Sequence, residues 1–266
     1  MRSMRIAAAV SAMVMAAVVA SAQTFDVASV KRQVEVVSGM TFAARASTLT
    51  VVNNELTNVI DNAYGIRRYQ LIGGPDWIES DRYNIQAKAA GDATRDELMV
   101  MTQSLLAERF KLKIHRETRE MPIYVLTVAK GGIKAPRSVD GGYAAFDPRN
   151  PPRPGAPRKP FCGNNLIRTA SWNATAIDMK SAAAALVGVL GRNVVDRTGV
   201  DGTFDIHVEW TPDQAPAGVD GASTSNATAA PPLFTVLEDQ LGLKLESSRG
   251  SVDVIVIDHV ERPTED

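Results

Sequence analysis

The chain has 266 residues, a formal net charge of −1 at pH 7 and 45% hydrophobic residues. This balance of charge gives no electrostatic basis for binding nucleic acid or an anionic membrane surface, and we expect neither partner. The length allows one large domain or two small ones, and the single cysteine, Cys162, excludes an internal disulfide.

The N-terminus predicts a cleavable signal peptide over residues 1–22. Arg2 and Arg5 precede an apolar run over 6–20, and the small residues at 20–22 form a cleavage motif. The run is shorter than the roughly 20 residues that a bilayer span requires. We therefore expect an exported protein, periplasmic or extracellular, with no membrane span after cleavage. An N-terminal membrane anchor is the alternative.

The first two helices are predicted from apolar residues at helical spacing and from end signals. One covers 56–64, with Asn53 or Asn54 as its cap and Gly65 as its end. The other begins at a capping-box pattern over 94–97. Two more helices are expected in the second part of the chain: 180–190, ended by Gly191, and 233–241, ended by Gly242.

Strands are predicted where apolar residues alternate with polar ones. Gly250 suggests a hairpin turn, and the uninterrupted apolar run over 254–257 indicates a strand buried on both faces. The expected strands are 83–87 and 204–210, and the expected hairpins join 110–116 with 121–129 and 241–247 with 252–260.

The chain is predicted to contain two similar halves, 23–134 and 166–266, joined by a Pro/Gly-rich linker over 135–165. The segments 108–129 and 239–260 align without a gap, and their apolar positions coincide. Alternatively, the apolar positions coincide only because any two segments with one helix and two strands share the same alternation of apolar and polar residues. The expected fold is α+β, with two β-α-β-β-α-β-β halves and mainly antiparallel sheet. A second surface loop is expected over 211–231.

No catalytic motif is recognisable in the sequence, and we expect no cofactor and no metal. Asp205, His207 and Glu209 share one strand face, which suits either a divalent metal or, more simply, solvent. Cys162 would need an adjacent base to act as a nucleophile, and the sequence places none beside it.

Five residues are candidates for a ligand or partner surface. Trp77 follows a Gly-Gly-Pro-Asp turn and either packs onto the sheet or lines a ligand groove. His115, Arg116 and Arg119 lie in a charged segment that is either a solvated turn or a docking site. His207 is included because two carboxylates flank it on its strand face.

Several segments together resemble the large acidobacterial, Solibacter-type paralogous family of exported proteins of unknown function. The resemblance covers nearly the whole mature chain, and Arg32 departs from it where relatives usually have proline. Its clearest segments are FDVASVK at 25–31, GGPDW at 73–77, LLAERFKL at 105–112, HRETREMP at 115–122, VVDRTG at 194–199 and VIDHVERP at 256–263.

The resemblance supplies no catalytic residue, because the family has no established activity. Some relatives form the outer domain of membrane sensor-metallopeptidases resembling beta-lactam receptors, which implies recognition rather than catalysis. We therefore expect an exported, non-enzymatic binding module for an unknown envelope protein or small ligand. The alternatives are an exported hydrolase with a site between the two halves, and an envelope scaffold or assembly domain.

Overall fold

The computed structural model describes residues 23–34, 38–139, 142–143, 161–211 and 231–263. The fold is α+β with mainly antiparallel sheets and few helices, as predicted. Contacts divide the chain into two compact units that interleave in sequence. The first comprises 1–66, 74–113 and 258–266, and the second comprises 67–73 and 114–257. The contiguous halves expected from the sequence stay a prediction.

The first unit is a four-stranded antiparallel sheet with helices packed on it. The strands lie in the order β1-β5-β3-β2, so that β1 and β2 form the edges. Its elements are β1 (Val27–Gln33), β2 (Thr41–Arg45), β3 (Thr48–Glu55), α1 (Leu56–Tyr64), α2 (Trp77–Ser80), β5 (Arg82–Lys88) and α3 (Arg95–Arg109), with β4 (Leu71–Ile72) lying in the second unit.

The ends of α1 and α3 show which end signals the chain uses. Gly65 ends α1 in the left-handed conformation, as predicted, but Glu55 is its N-cap instead of Asn53 or Asn54. The two asparagines are instead buried at the end of β3, with their side chains bonded to backbone carbonyls. The capping box of α3 is confirmed, since Thr94 and Glu97 bond each other's backbone N–H.

The second unit contains two sheets with helices between them. A three-stranded antiparallel sheet has the order β10-β8-β7, and a four-stranded sheet has the order β4-β11-β6-β9. Its remaining elements are β6 (Lys113–Val128), β7 (Asn164–Ile167), β8 (Ser171–Ile177), α4 (Met179–Leu190), β9 (Val194–Asp196), β10 (Phe204–Glu209), α5 (Leu233–Val236, continued by a π-helical turn over Leu237–Leu241) and β11 (Leu243–His259).

The two predicted hairpins are wrong, because β6 and β11 are single long strands. The charged segment 115–120 contains no glycine, and Gly250 does not adopt positive φ, so neither strand turns there. The strands are hydrogen-bonded neighbours, and contacts such as Ser251 Oγ to Glu120 (2.7 Å) and Ala129 N–H to the Gly242 carbonyl (2.9 Å) show that they run antiparallel.

A bulge of the same kind interrupts β3 and β8 just before the helix that follows each strand. Asn53 and Ala176 adopt positive φ, at 54° and 51°, which is uncommon for residues other than glycine. In each case the neighbouring strand supplies an acceptor: the Asn53 N–H donates to Asn84 Oδ1 (2.8 Å), and the Ala176 N–H donates to Asp205 Oδ1 (3.0 Å). In each bulge, a side-chain oxygen therefore accepts the hydrogen bond from the backbone N–H group that no longer bonds to the neighbouring strand.

Each unit has a buried apolar core between its sheets and its helices. In the first unit, residues such as Leu49, Ile60, Ile85 and Leu98 are completely buried. In the second, a contiguous cluster includes Trp172, Leu186, Phe204, Val236 and Leu243. The alternation predicted for β5 and β10 is confirmed by their burial.

Several predictions concern residues outside the described ranges. These are the signal peptide over 1–22, most of the linker over 135–165 and nearly all of the loop over 211–231. Of the helices within the described ranges, none has the length and apolar character needed to cross a bilayer.

Candidate functional site

Trp77 packs against its own unit. Its ring meets that of Tyr83 edge-on at 6.5 Å between centroids, and the Arg262 guanidinium lies over it at 5.0 Å. Arg262 also pairs with the buried carboxylate of Asp81 at 2.8 Å. Of the two interpretations left open by the sequence, this geometry favours a packing role for the tryptophan.

His115, Arg116 and Arg119 lie along β6 and are exposed. Glu117 stands between them and pairs with the Arg119 side chain, while the His115 ring lies 3.7 Å from its second oxygen. Such exposed pairs contribute little to stability, since solvent screens them. Arg116 faces the opposite side of the strand from these three residues, because side chains alternate.

His207 lies on the polar face of β10, as predicted, where its Nδ1 contacts the Asn173 side chain. A cleft of about 330 Å³ runs beside it and is also lined by Thr175, Asp205 and Gln240. Trp77 belongs to the first unit, and the other four candidates belong to the second. Within the second unit, His207 lies on a different sheet from the three candidates on β6. The structure therefore does not assemble the five candidates within either unit.

A pocket lined mainly by apolar side chains lies in the second unit, and the sequence did not indicate it. Its volume is about 600 Å³, within the range of roughly 300–1,000 Å³ typical of small-ligand sites. The turn between β7 and β8, the last turn of α4 and the start of α5 form its walls. Its lining residues are Ile167, Arg168, Thr169, Gly188, Val189, Leu190, Trp210, Leu233 and Phe234.

One wall of the pocket is formed by the start of a short helix, α5, which begins at Leu233. Pro231 and Pro232 precede it, and proline lacks the N–H that a longer helix would need there. In the first unit α3 is longer and packs closely beside α1: the Gln103 side chain donates to the Ala63 carbonyl at 2.7 Å. Leu98, in the first turn of α3, is completely buried.

The pocket lining combines apolar side chains with polar groups, and polar atoms make up nearly half of its surface. Among its lining residues there is no Asp, Glu, His, Cys or Lys, and the side-chain donors are the Arg168 guanidinium, the Thr169 hydroxyl and the Trp210 indole. Phe234 is 39% exposed, so an apolar ring is accessible at the rim. This composition suits binding of an apolar body, because it offers no general acid or base at neutral pH.

Comparison with known protein families finds a match, over residues 57–260, to the family described as protein of unknown function (DUF3738). The chain belongs to this family. The match covers well over half of the chain and includes the apolar pocket, the bulge of β8 and the whole of β6. Comparison with curated proteins and with solved structures finds no match.

No metal centre is evident in the described residues, where no group of three or more His, Cys, Asp and Glu side chains comes together. Cys162 is a free, exposed thiol. The pocket was missed because its apolar side chains come from three separate segments, and helical or strand periodicity does not report which of them meet. The Pro-Pro pair before Leu233 was the one local signal of a shortened helix.

Proposed function

We propose that this member of the DUF3738 family is an exported recognition module that binds a small apolar ligand without transforming it. The observation that carries the proposal is the pocket of about 600 Å³ in the second unit, where apolar side chains such as those of Trp210, Leu233 and Phe234 supply much of the lining. Burial of apolar ligand surface supplies the affinity, at about 25 cal/mol for each Å² removed from water.

Binding rather than catalysis is favoured by the chemistry of the lining. Covalent or acid–base chemistry needs a nucleophile or a titratable group within reach of the reacting atom. The pocket offers one threonine hydroxyl, Thr169, without a base among its lining residues. A sensor-like role also agrees with what the family resemblance implies.

Export is supported by the basic and apolar pattern of residues 1–22. We expect the mature protein to begin at Gln23. N-terminal sequencing of protein recovered from the periplasm or the medium checks this expectation. Recovery of a chain that starts at Met1 in a membrane fraction would contradict it and would support a membrane anchor.

The binding test uses N-phenyl-naphthylamine, a neutral apolar dye whose fluorescence increases when it leaves water. We expect saturable binding to the mature protein and its loss in Gly188→Leu. Gly188 lines the pocket, and a Cβ added there meets nothing within 4 Å, so a larger side chain at this position is expected to reduce the space of the pocket. The substitution also removes a helix-interior glycine, which stabilises α4 by up to about 1 kcal/mol.

The matched control is Ala184→Leu, one turn earlier on the exposed side of α4 and outside the pocket. It adds the same side chain to the same helix and should leave dye binding unchanged. Binding that survives Gly188→Leu would place the dye elsewhere and overturn the proposed site. Recovery of an altered ligand after incubation would favour the hydrolase alternative.

We also propose that the chain arose by internal duplication, with the segment around 135–165 as the connection. Apart from the short helices Arg68–Gln70 and α2, which have no counterpart, the order of elements from β2 to β6 recurs from β7 to β11. Tyr124 and Ile255, which the sequence alignment equates, each pair with a short parallel edge strand, at Val194 and Leu71 respectively. The paired bulges of β3 and β8 support the same equivalence.

A further inference from the structure

One arginine lines the apolar pocket, and a second is connected to it through an aromatic contact. Arg168 is one of the lining residues, in the turn between β7 and β8. Arg192 follows the end of α4 and does not line the pocket, but its guanidinium lies over the Tyr124 ring at 5.6 Å. Tyr124 in turn meets the lining residue Phe234 edge-on, at 5.5 Å between ring centroids.

Neither arginine is neutralised by a carboxylate within 4.0 Å among the residues that the structure describes. Some other arginines of the described residues do pair with a carboxylate: Arg32 and Arg262 with Asp81, and Arg82 with Glu55. The pocket lining contributes no acidic side chain. Arg168 is thus the charged side chain among the described residues that line the pocket, although the net charge of the chain is −1.

We infer that the ligand of this pocket is an amphipathic anion: a free small molecule with an apolar body and one carboxylate-like group. This inference rests on the proposed function and specifies its ligand class. The apolar body occupies the space beside Trp210 and Leu233, and the anionic group binds Arg168 at the mouth. Guanidinium and carboxylate form strong, often bidentate hydrogen bonds, and Arg192 adds to the favourable potential.

The first unit indicates how large an apolar group could occupy the pocket, because protein side chains fill the corresponding position in that unit. There the first two turns of α3, with Leu98 fully buried, cover the sheet beside α1, and the Ala93 N–H donates to Ser47 in the turn between β2 and β3. The corresponding turn of the second unit carries Arg168, and its helix starts only at Leu233. A branched or straight aliphatic chain is the kind of group that packs at this position.

The experiment compares octanoate with octanol as competitors of N-phenyl-naphthylamine bound to the mature protein. The two probes share their apolar chain and differ in charge. We expect octanoate to compete roughly tenfold more strongly, as a charge-assisted hydrogen bond predicts. Arg168→Gln should remove most of this difference, and Arg192→Gln should reduce it. Arg116→Gln, an exposed arginine on β6, is the control and should leave it unchanged.

The outcomes separate the two proposals. If the dye binds and Gly188→Leu abolishes binding, but octanoate competes no better than octanol, the anionic ligand class is overturned and the recognition pocket stands. If the dye does not bind at all, both proposals fail. If octanoate keeps its advantage in Arg168→Gln while the dye still binds that variant, the assignment of the anionic group to Arg168 is wrong.

Discussion

The backbone N–H of Ala176 donates a 3.0 Å hydrogen bond to the carboxylate of Asp205 across the bulge of β8. The same carboxylate accepts bonds from Ser138 Oγ (2.8 Å) and from the Tyr143 hydroxyl. Burial alone would raise the pKa of Asp205, but the hydrogen bonds from Tyr143, Ala176 and Ser138 outweigh it and lower the pKa. The carboxylate thus connects the bulge to Ser138 and Tyr143, which lie outside the three strands of its sheet.

We expect Asp205→Ala to lower the free energy of unfolding by about 1–3 kcal/mol, because it leaves a buried backbone N–H without its acceptor. Urea denaturation of the mature protein measures this loss. The control is Glu209→Ala, an exposed carboxylate four positions later on the same strand, which should cost less than about 0.5 kcal/mol. Equal effects of the two substitutions would show that the bulge does not depend on Asp205.

A second prediction concerns pH and the buried carboxylate of Asp81. Burial favours a raised pKa, but the hydrogen bonds and charges of Arg262 and Arg32 prevail and lower it. A carboxyl group with a lowered pKa in the folded state stabilises the protein above its ordinary pKa of about 3.9. That contribution should be lost as the pH falls from this value towards the lowered one.

Thermal melts between pH 7 and pH 2 of the mature protein and of Asp81→Asn check this dependence. The variant should be less stable at pH 7, where it leaves both arginines without their partner, and the difference should shrink in acid. A difference that stays constant over the whole range would show that ionisation of Asp81 makes no contribution to folding.

The third prediction separates the buried and polar strand faces. Ile255 is fully buried in β11, so Ile255→Ala should cost about 2–5 kcal/mol through lost burial and a residual cavity. Ile123→Ala in β6 should cost a comparable amount, since that side chain is also buried and lies over Gly250. His207→Ala should cost less than about 1 kcal/mol, because the ring is exposed.

Urea melts of the three variants rank these effects. If His207→Ala proved as damaging as Ile255→Ala, the contact between His207 and Asn173 would belong to a structural polar network and not to a solvated face.

A fourth prediction uses two glycines with nearly the same backbone conformation, Gly65 (φ +64°) and Gly242 (φ +66°). A Cβ at Gly242 would lie 2.0 Å from the Gly132 carbonyl oxygen, whereas one at Gly65 meets nothing within 4 Å. Gly65→Ala should therefore cost only the left-handed strain, about 1–2 kcal/mol. Gly242→Ala should cost about 2–5 kcal/mol, because overpacking adds to that strain.

Chemical denaturation distinguishes the two glycine variants directly. A similar loss for both would mean that the backbone around Gly132 moves aside at little cost.

Local signals predicted much of this fold. Gly65, Gly191 and Gly242 end their helices as expected, and the Thr94–Glu97 capping box forms. These signals act within a few residues, so the sequence carries them directly. The asparagine cap of α1 was predicted wrongly because Asn53 and Asn54 bond across the sheet, which depends on β2 and β5.

Long-range pairing was harder to predict. Hairpins were predicted in the regions of 113–128 and 243–259, because in each region a charged or glycine-containing stretch separates two apolar runs. In the structure the charged stretches pair with each other in the middle of one ladder, where Thr118 bonds Asp253 at 2.7 Å. The pocket was also beyond the reach of periodicity, since it depends on which segments meet.

The position of β11 in its sheet has a consequence for how the chain folds during synthesis. This strand lies between β4 and β6, and the Gln70 side chain donates to the Asp253 carbonyl across 183 positions of sequence. The four-stranded sheet therefore cannot close until β11 (Leu243–His259) has been synthesised. Contacts of such high sequence separation form slowly, so we expect this sheet to be among the last parts of the chain to form.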